Sequence, residues 1–214
     1  MKIFIDINSK QKKVDRNLVL YLKADFEWDK NDKEYLEKIS VKIAEELNRQ
    51  GPLKNKIYFG SAMDKPGGKV TLTTLVSALL KNNLVGRKLH LFQSNIDDIK
   101  TPVKQINKIL SIIRRNLGYE SFFLGNKGLR IIFRFIQIIE RNKLAKKISV
   151  DHNELFEDLG KVISEDYIRE LEVFYGEGGA NKAAEKLISS LKERYPIKYQ
   201  YIEQDLRKLP KPTT

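Results

Sequence analysis

The chain has 214 residues, 40 of them Lys or Arg against 28 Asp or Glu, for a formal charge of +12, and 41% of it is hydrophobic. That apolar share, with ten Phe and nine Tyr, supplies one medium core and excludes a disordered polyelectrolyte. The lack of Cys excludes a disulfide scaffold, a Cys-ligated zinc or iron–sulfur site and a thiol nucleophile, and only His90 and His152 could serve imidazole chemistry.

Read in chain order, the elements are mostly helical. Asp15 is placed to cap a short helix through Leu18, Val19 and Leu22. Asn31 or Asp32 opens a longer one, with Tyr35, Leu36, Ile39, Ile43 and Leu47 at helical spacing and Gly51-Pro52 as its stop. Residues 56–59 are aromatic and branched and predict a strand; Pro66-Gly67-Gly68 predicts a loop over 63–69. Thr71 or Thr73 then caps a helix carrying Leu75, Val76, Leu79 and Leu80. A second strand is expected over 88–92. Thr101-Pro102 starts a helix that runs through Val103, Ile106, Leu110 and Ile113 to Gly118. Further helices are predicted over 128–147, 151–162 and 165–174. The run Gly176-Glu177-Gly178-Gly179 is expected to break the chain before a last helix at 180–194. The fold class is therefore α+β, predominantly α-helical with a few short strands. Residues 1–208 are read as one helix-rich domain and 209–214 as a flexible Pro-rich tail.

No apolar run approaches the roughly 20 residues that span a bilayer. No cationic start, apolar stretch and small-residue cleavage site occur in order, so no secretory signal is read, and a cytoplasmic protein without a membrane partner is expected.

The charge is segregated. Residues 1–50 carry net +1, residues 51–150 net +14 and residues 151–214 net −3. Concentrated positive charge attracts a polyanion better than the same charge scattered. In the 128–147 segment almost every residue from Leu129 to Ile139 is apolar except Arg130, Arg134 and Gln137. With Lys127 before them and Arg141 after them, these step by three and four and share one face, a narrow polar seam on a core helix. The 103–117 segment places Lys104, Lys108 and Arg115 on one face, with Arg114 adjacent. Like charges at this spacing repel by a few tenths of a kcal/mol per pair. Either the acidic last third neutralises them internally, or they face the phosphates of a nucleic acid.

Lys65-Pro66-Gly67-Gly68-Lys69 and Gly125-Asn126-Lys127-Gly128 lead into helices and read first as turns, with a phosphate seat as the alternative. Neither has Walker spacing. Trp28 and the Tyr and Phe residues read as packing and not as base-stacking platforms. His90 and His152 read as structural, and no metal, cofactor or catalytic residue is assigned.

Phe4, Ile7, Asn8, Gln11 and Val14, followed by a helix with Leu18 and Leu22, form the remaining pattern. It resembles the F-x-x-I-N-x-x-Q-x-x-V segment of the DGQHR-domain proteins. That family includes the DndB proteins of bacterial DNA phosphorothioation systems, and its front part is similar to ParB-like folds. The stretch Lys69–Leu79 and the Gly178-Gly179-Ala180 turn look compatible with it. The Asp-Gly-Gln-His-Arg motif, which in the family lies upstream of this segment, does not occur here. The resemblance therefore implies the C-terminal part of a larger family architecture. It implies Asn8 and Gln11 as the second polar element of the family's pocket, with Lys10, Lys12 and Lys13 beside them. The expectation is a DNA-associated accessory or regulatory protein of a bacterial modification or defence system, not catalytic by itself. It would bind nucleic-acid backbone through Lys104, Lys108, Arg115, Lys127, Arg130, Arg134 and Arg141. The alternatives are a fragment of a nucleotide-hydrolysing or DNA-nicking enzyme that needs a DGQHR-bearing half, and a protein-interaction module of a defence complex. Ile3, Phe4, Ile5 and Ile7 are expected to pack against a partner chain or a second copy.

Overall fold

Side-chain caps set where four of the ten described α-helices begin. The computed structural model describes residues 14–60, 70–86, 91–93 and 95–210. Helix α1 (Arg16–Lys23) starts where Asp15 accepts the Asn17 N–H at 2.7 Å, the cap its sequence predicts. Helix α2 (Lys33–Arg49) buries Ile39, Ile43 and Leu47 along one face, and Gly51, with φ +80°, turns the chain beyond it.

Strands β1 (Ile57–Tyr58) and β2 (Val70–Thr71) pair in parallel, Ile57 with Val70 and Tyr58 with Thr71. The second strand of the described sheet is at 70–71, where the sequence predicts none. Residues 88–90 of the strand expected over 88–92, and the loop predicted over 63–69, lie outside the described residues. Leu91 and Phe92 are in no strand; their N–H groups bond to the Asn83 and Leu84 carbonyls at 2.9 and 3.1 Å. A two-residue strand that runs straight into a helix cap has no periodicity to betray it.

Helix α3 (Leu72–Lys81) is capped by Thr71, whose hydroxyl accepts the Thr74 N–H at 3.3 Å. Helix α4 (Lys100–Asn116) carries Pro102 in its first turn. A one-turn helix α5 (Glu120–Phe123) follows, which the sequence does not predict because four residues show no period. Helix α6 (Asn126–Lys146) has 21 residues and is about 31 Å long. Its Ile131, Ile132, Phe133, Phe135, Ile136, Ile138 and Ile139 are each no more than 1% exposed, so it is a core helix as expected. Helices α7 (His152–Gly160) and α8 (Glu165–Glu172) are capped by Asp151 and Ser164. Helices α9 (Gly176–Arg194) and α10 (Pro196–Tyr199) and a 3-10 turn at Leu206–Lys208 complete the fold. Among the described residues the protein is a predominantly helical α+β fold with one small parallel sheet.

The glycine run does not break the chain before residue 180; it forms the first turn of α9. Gly176, at φ +64°, makes the reversal. A Cβ on Gly179 would sit 2.7 Å from the Phe174 carbonyl carbon, so this glycine serves a close approach.

Helix α6 packs chiefly against α9 and α3, with α5 under its first turn, while α4 packs on α7 and α2. Two polar clamps tie the C-terminal segment to this frame. Asn142, fully buried, donates to the Glu203 carbonyl and accepts the Glu203 N–H, both at 2.8 Å. Asp158 accepts the Tyr199 hydroxyl at 2.8 Å and pairs with Lys198. Leu209, expected to open a loose tail, is 5% exposed, because the 3-10 turn carries it back onto the protein; residues 211–214 lie outside the described residues.

Candidate nucleic-acid interface

The steps of three and four along α6 do place Lys127, Arg130, Arg134, Gln137 and Arg141 on one face. That face does not look onto open water. Lys127 donates to the Glu172 carbonyl, and its ammonium lies 4.1 Å from the centroid of the Tyr175 ring. Arg130 donates through Nη2 to the Thr74 hydroxyl at 3.2 Å, beside the first turn of α3. Arg134 donates to the side-chain carbonyl of Gln137, which is itself buried. Arg141 reaches the Pro210 carbonyl at 3.5 Å. The Nε–H groups of all three arginines are buried and have no acceptor. Burial lowers the pKa of the Arg134 guanidinium, and the more distant Glu185 carboxylate offsets this only in part.

The α4 row behaves differently. Lys104 and Lys108 are exposed, as is Lys100, which lies one turn earlier on the same face and which sequence reasoning left out. Three charges at four-residue intervals span about 12 Å of helix. Arg115 donates to the Asn153 side-chain carbonyl at 2.6 Å. Arg114 leaves the row to pair with Glu120 at 3.0 Å, and the same Glu120 carboxylate takes Lys56 at 2.5 Å. These two cations hold the Glu120 carboxyl below its ordinary pKa.

The two rows do not form one surface. Helix α4 looks outward past α2 and α7, whereas the α6 row runs under α9 and the C-terminal segment. The sequence expectation of a single water-facing strip over two packed helices is corrected on that point. Periodicity tells which residues share a face of one helix, but not which neighbour covers it.

Among the described residues, none of the seven predicted cations makes an ion pair with a carboxylate. Other cations do: Lys30 with Asp97, Lys56 with Glu120, Lys81 with Glu177, and Lys198 with Asp158 and Glu154. The acidic last third spends several of its carboxylates on its own lysines and arginines. Glu165 and Asp166 take Arg169, Glu170 takes Lys186, and Asp205 takes Arg207. Neutralisation of the two rows is therefore only at longer range: Glu185 acts on Arg134, Asp151 faces Lys108, and Glu45 and Glu46 line the same groove as Lys100 and Lys104.

His152 meets Glu140, Nε2 to Oε1 at 2.8 Å, at the edge of an open groove of about 350 Å³ lined also by Thr101, Gln105 and Lys143. Burial raises the Glu140 pKa, but hydrogen bonds from His152 and Lys143 outweigh it, and the carboxyl ends below its ordinary value. The carboxylate holds the imidazole in place, in keeping with a structural His152. Gly125-Asn126-Lys127-Gly128 is the packed start of α6: the Asn126 side-chain carbonyl accepts the Thr71 N–H at 2.8 Å, and Gly128 lies against the Phe122 backbone. Among the described residues no group of three or more His, Asp or Glu could hold a metal ion, and no helix is long and apolar enough to cross a membrane. Asn8, Lys10, Gln11, Lys12, Lys13, the apolar Ile3, Phe4, Ile5 and Ile7, and His90 lie outside the described residues.

The aromatic residues pack as expected at most positions. Tyr21 meets Phe59 edge-on, and the Trp28 Nε1–H donates to the Lys23 carbonyl at 2.9 Å. Tyr175 is the departure, 76% exposed beside Lys127. Sequence reasoning passed over it because it counted aromatic residues by helical spacing, and Tyr175 sits in a turn. Compared with known proteins, the chain matches no family profile, no curated protein and no solved structure.

Proposed function

We propose that this chain binds the phosphodiester backbone of DNA, with the outer face of α4 as the first contact, as an accessory or regulatory component of a bacterial DNA-modification or defence system. The observation that carries the reading is that, among the described residues, none of the predicted cations has a carboxylate in ion-pair range, whereas several cations elsewhere, among them Lys56, Lys81, Arg114 and Lys198, do. An exposed row of lysines on a helix displaces the cations condensed on a polyanion, which is favourable at low salt and needs no base contact. The resemblance of residues 3–22 to the DGQHR-domain segment supports DNA as the polymer and a modification or defence setting.

The exposed lysines give the cleanest test, since reversing the half-buried arginines of α6 would also disturb packing. In a duplex DNA titration across a salt series, the wild-type log affinity is expected to fall linearly with log salt. Lys104→Ala with Lys108→Ala is expected to weaken binding and to flatten that slope by about two, one counterion per lost phosphate contact. Both sites are exposed and alanine favours helix, so the fold is unaffected. An unchanged affinity and slope in the double variant would remove α4 from the interface. No affinity of the wild-type protein at low or moderate salt would sink the reading and favour a protein-interaction module.

A further inference from the structure

The junction of α6 and α9 holds a second arrangement that a duplex contact does not use. Tyr175 projects from the turn before α9 with 76% of its surface exposed. One face of its ring is taken by the Lys127 ammonium, 4.1 Å from the centroid. The turn that carries it is rigid: Gly176 has a positive φ, the Gly179 N–H bonds to the Tyr175 carbonyl at 3.0 Å, and Gly179 leaves no room for a Cβ against Phe174. Behind the ring lies a cavity of about 140 Å³ lined by Lys127, Arg130, Phe174, Gly176 and Ala180. Arg130 offers a buried Nε–H with no acceptor among the described residues, and among them neither Arg130 nor Lys127 has a carboxylate in ion-pair range. Arg130 sits beside the first turn of α3, and the cavity also touches the first turn of α9. Both helix ends carry partial positive charge, so neither compensates the two cations. Glu177, the one acidic residue of that α9 turn, is already paired with Lys81 at 3.1 Å.

We infer that Lys127, Arg130 and Tyr175 form a subsite for one nucleotide of an unpaired DNA strand, the phosphate held at the cations and the base stacked on the open face of the Tyr175 ring. The cavity is smaller than the 300–1,000 Å³ typical of whole-ligand pockets. It suits a phosphoryl group, and the base must then lie outside it. Inside a duplex both faces of a base are covered by its neighbours, so an exposed ring selects single strands, strand ends or extruded bases. A ring held on a rigid turn loses little entropy when a base stacks on it.

This inference rests on the DNA-binding reading, and the test separates the two. Anisotropy titrations of the full chain with fluorescein-labelled oligothymidylate and with a duplex of equal length are compared for wild type, Tyr175→Ala, Tyr175→Phe and the Lys104/Lys108 alanine double variant. Tyr175→Ala is expected to lose about tenfold in affinity for the single strand, the low-to-middle range for a stacked base. Its duplex affinity should stay within about twofold of wild type, and Tyr175→Phe should retain single-strand binding. The double lysine variant is expected to weaken duplex binding. A Tyr175→Ala protein with unchanged single-strand affinity, or with equal losses on both substrates, overturns the subsite even when the lysine variant behaves as expected. A wild-type protein that binds neither substrate overturns both readings.

Discussion

Replacing Gly128 by Ala is expected to destabilise the protein by about 3 kcal/mol, which lowers the melting temperature of a chain this size by roughly 6–12 °C. The reason is backbone against backbone. A Cβ at residue 128 would sit 2.1 Å from the Phe122 carbonyl oxygen and 2.5 Å from the Phe123 Cα. Neither atom can swing aside as the tip of a side chain would. Helix α5 would have to lift from the first turn of α6, carrying the buried Phe123 with it. Gly178 is the matched control, since a Cβ there meets nothing within 4 Å and its backbone is helical. Gly178→Ala should therefore raise stability by about 0.5–1 kcal/mol, because alanine loses less chain entropy in a helix than glycine. Thermal melts followed by circular dichroism measure both. Equal melting temperatures for Gly128→Ala and wild type would mean that α5 does not seat against α6 as described.

The second large effect is expected at Asp158, and it depends on pH. Asp158 is 6% exposed and serves the Tyr199 hydroxyl, Lys198 and Lys161 together. Asp158→Ala leaves a buried phenol without an acceptor and takes from Lys198 one of its two carboxylates, at a cost of about 3–5 kcal/mol. Burial pushes the Asp158 pKa up, but the hydrogen bonds from Lys198, Tyr199 and Lys161 outweigh it, and the carboxyl ends below its ordinary 3.8. A group whose folded pKa is depressed adds stability that is complete above its unfolded pKa and is lost as pH falls through the folded one. The difference in unfolding free energy between wild type and Asp158→Asn should therefore be flat at neutral pH and shrink only below about pH 4. Denaturant titrations at stepped pH give that curve. A gap that stays constant down to the acid limit would show that the charge of Asp158 contributes nothing.

Much of this fold is legible in the amino-acid order, for reasons that are local. Asp15, Thr71 and Asp151 announce helix starts because each cap is a bond between residues two or three apart. The apolar run of α6 reads as a core helix because its few polar residues keep a single period. What is not legible depends on partners far along the chain. Tyr199 finds Asp158 from 41 residues away, so the clamp at the C-terminal segment has no local sign. Gly179 is needed only because Phe174 folds back onto it. The candidate site divides in the same way. Periodicity grouped Lys104 with Lys108 and Arg130 with Arg134, but it took α9 and the C-terminal segment to bury one group and leave the other in water. Tyr175 carried no signal at all until the turn that holds it was in place.

The attachment of α1 has a further consequence. Its one buried residue is the polar Asn17, whose side-chain carbonyl accepts the Thr73 N–H at 3.0 Å and the Thr73 hydroxyl at 2.9 Å. Asp15 in turn takes the Tyr58 hydroxyl at 2.8 Å. Leu20 and Tyr21 add only partly buried apolar contacts, so this helix exposes less apolar surface when it lets go than a core helix does, and its opening should depend less on denaturant than global unfolding. Native-state amide exchange should find residues 19–23 opening in a step of lower energy and smaller urea dependence than global unfolding. The central amides of α6 should exchange only when the whole molecule unfolds. One set of amides would thus report a weakly held cooperative unit and the other the most firmly held part of the described core.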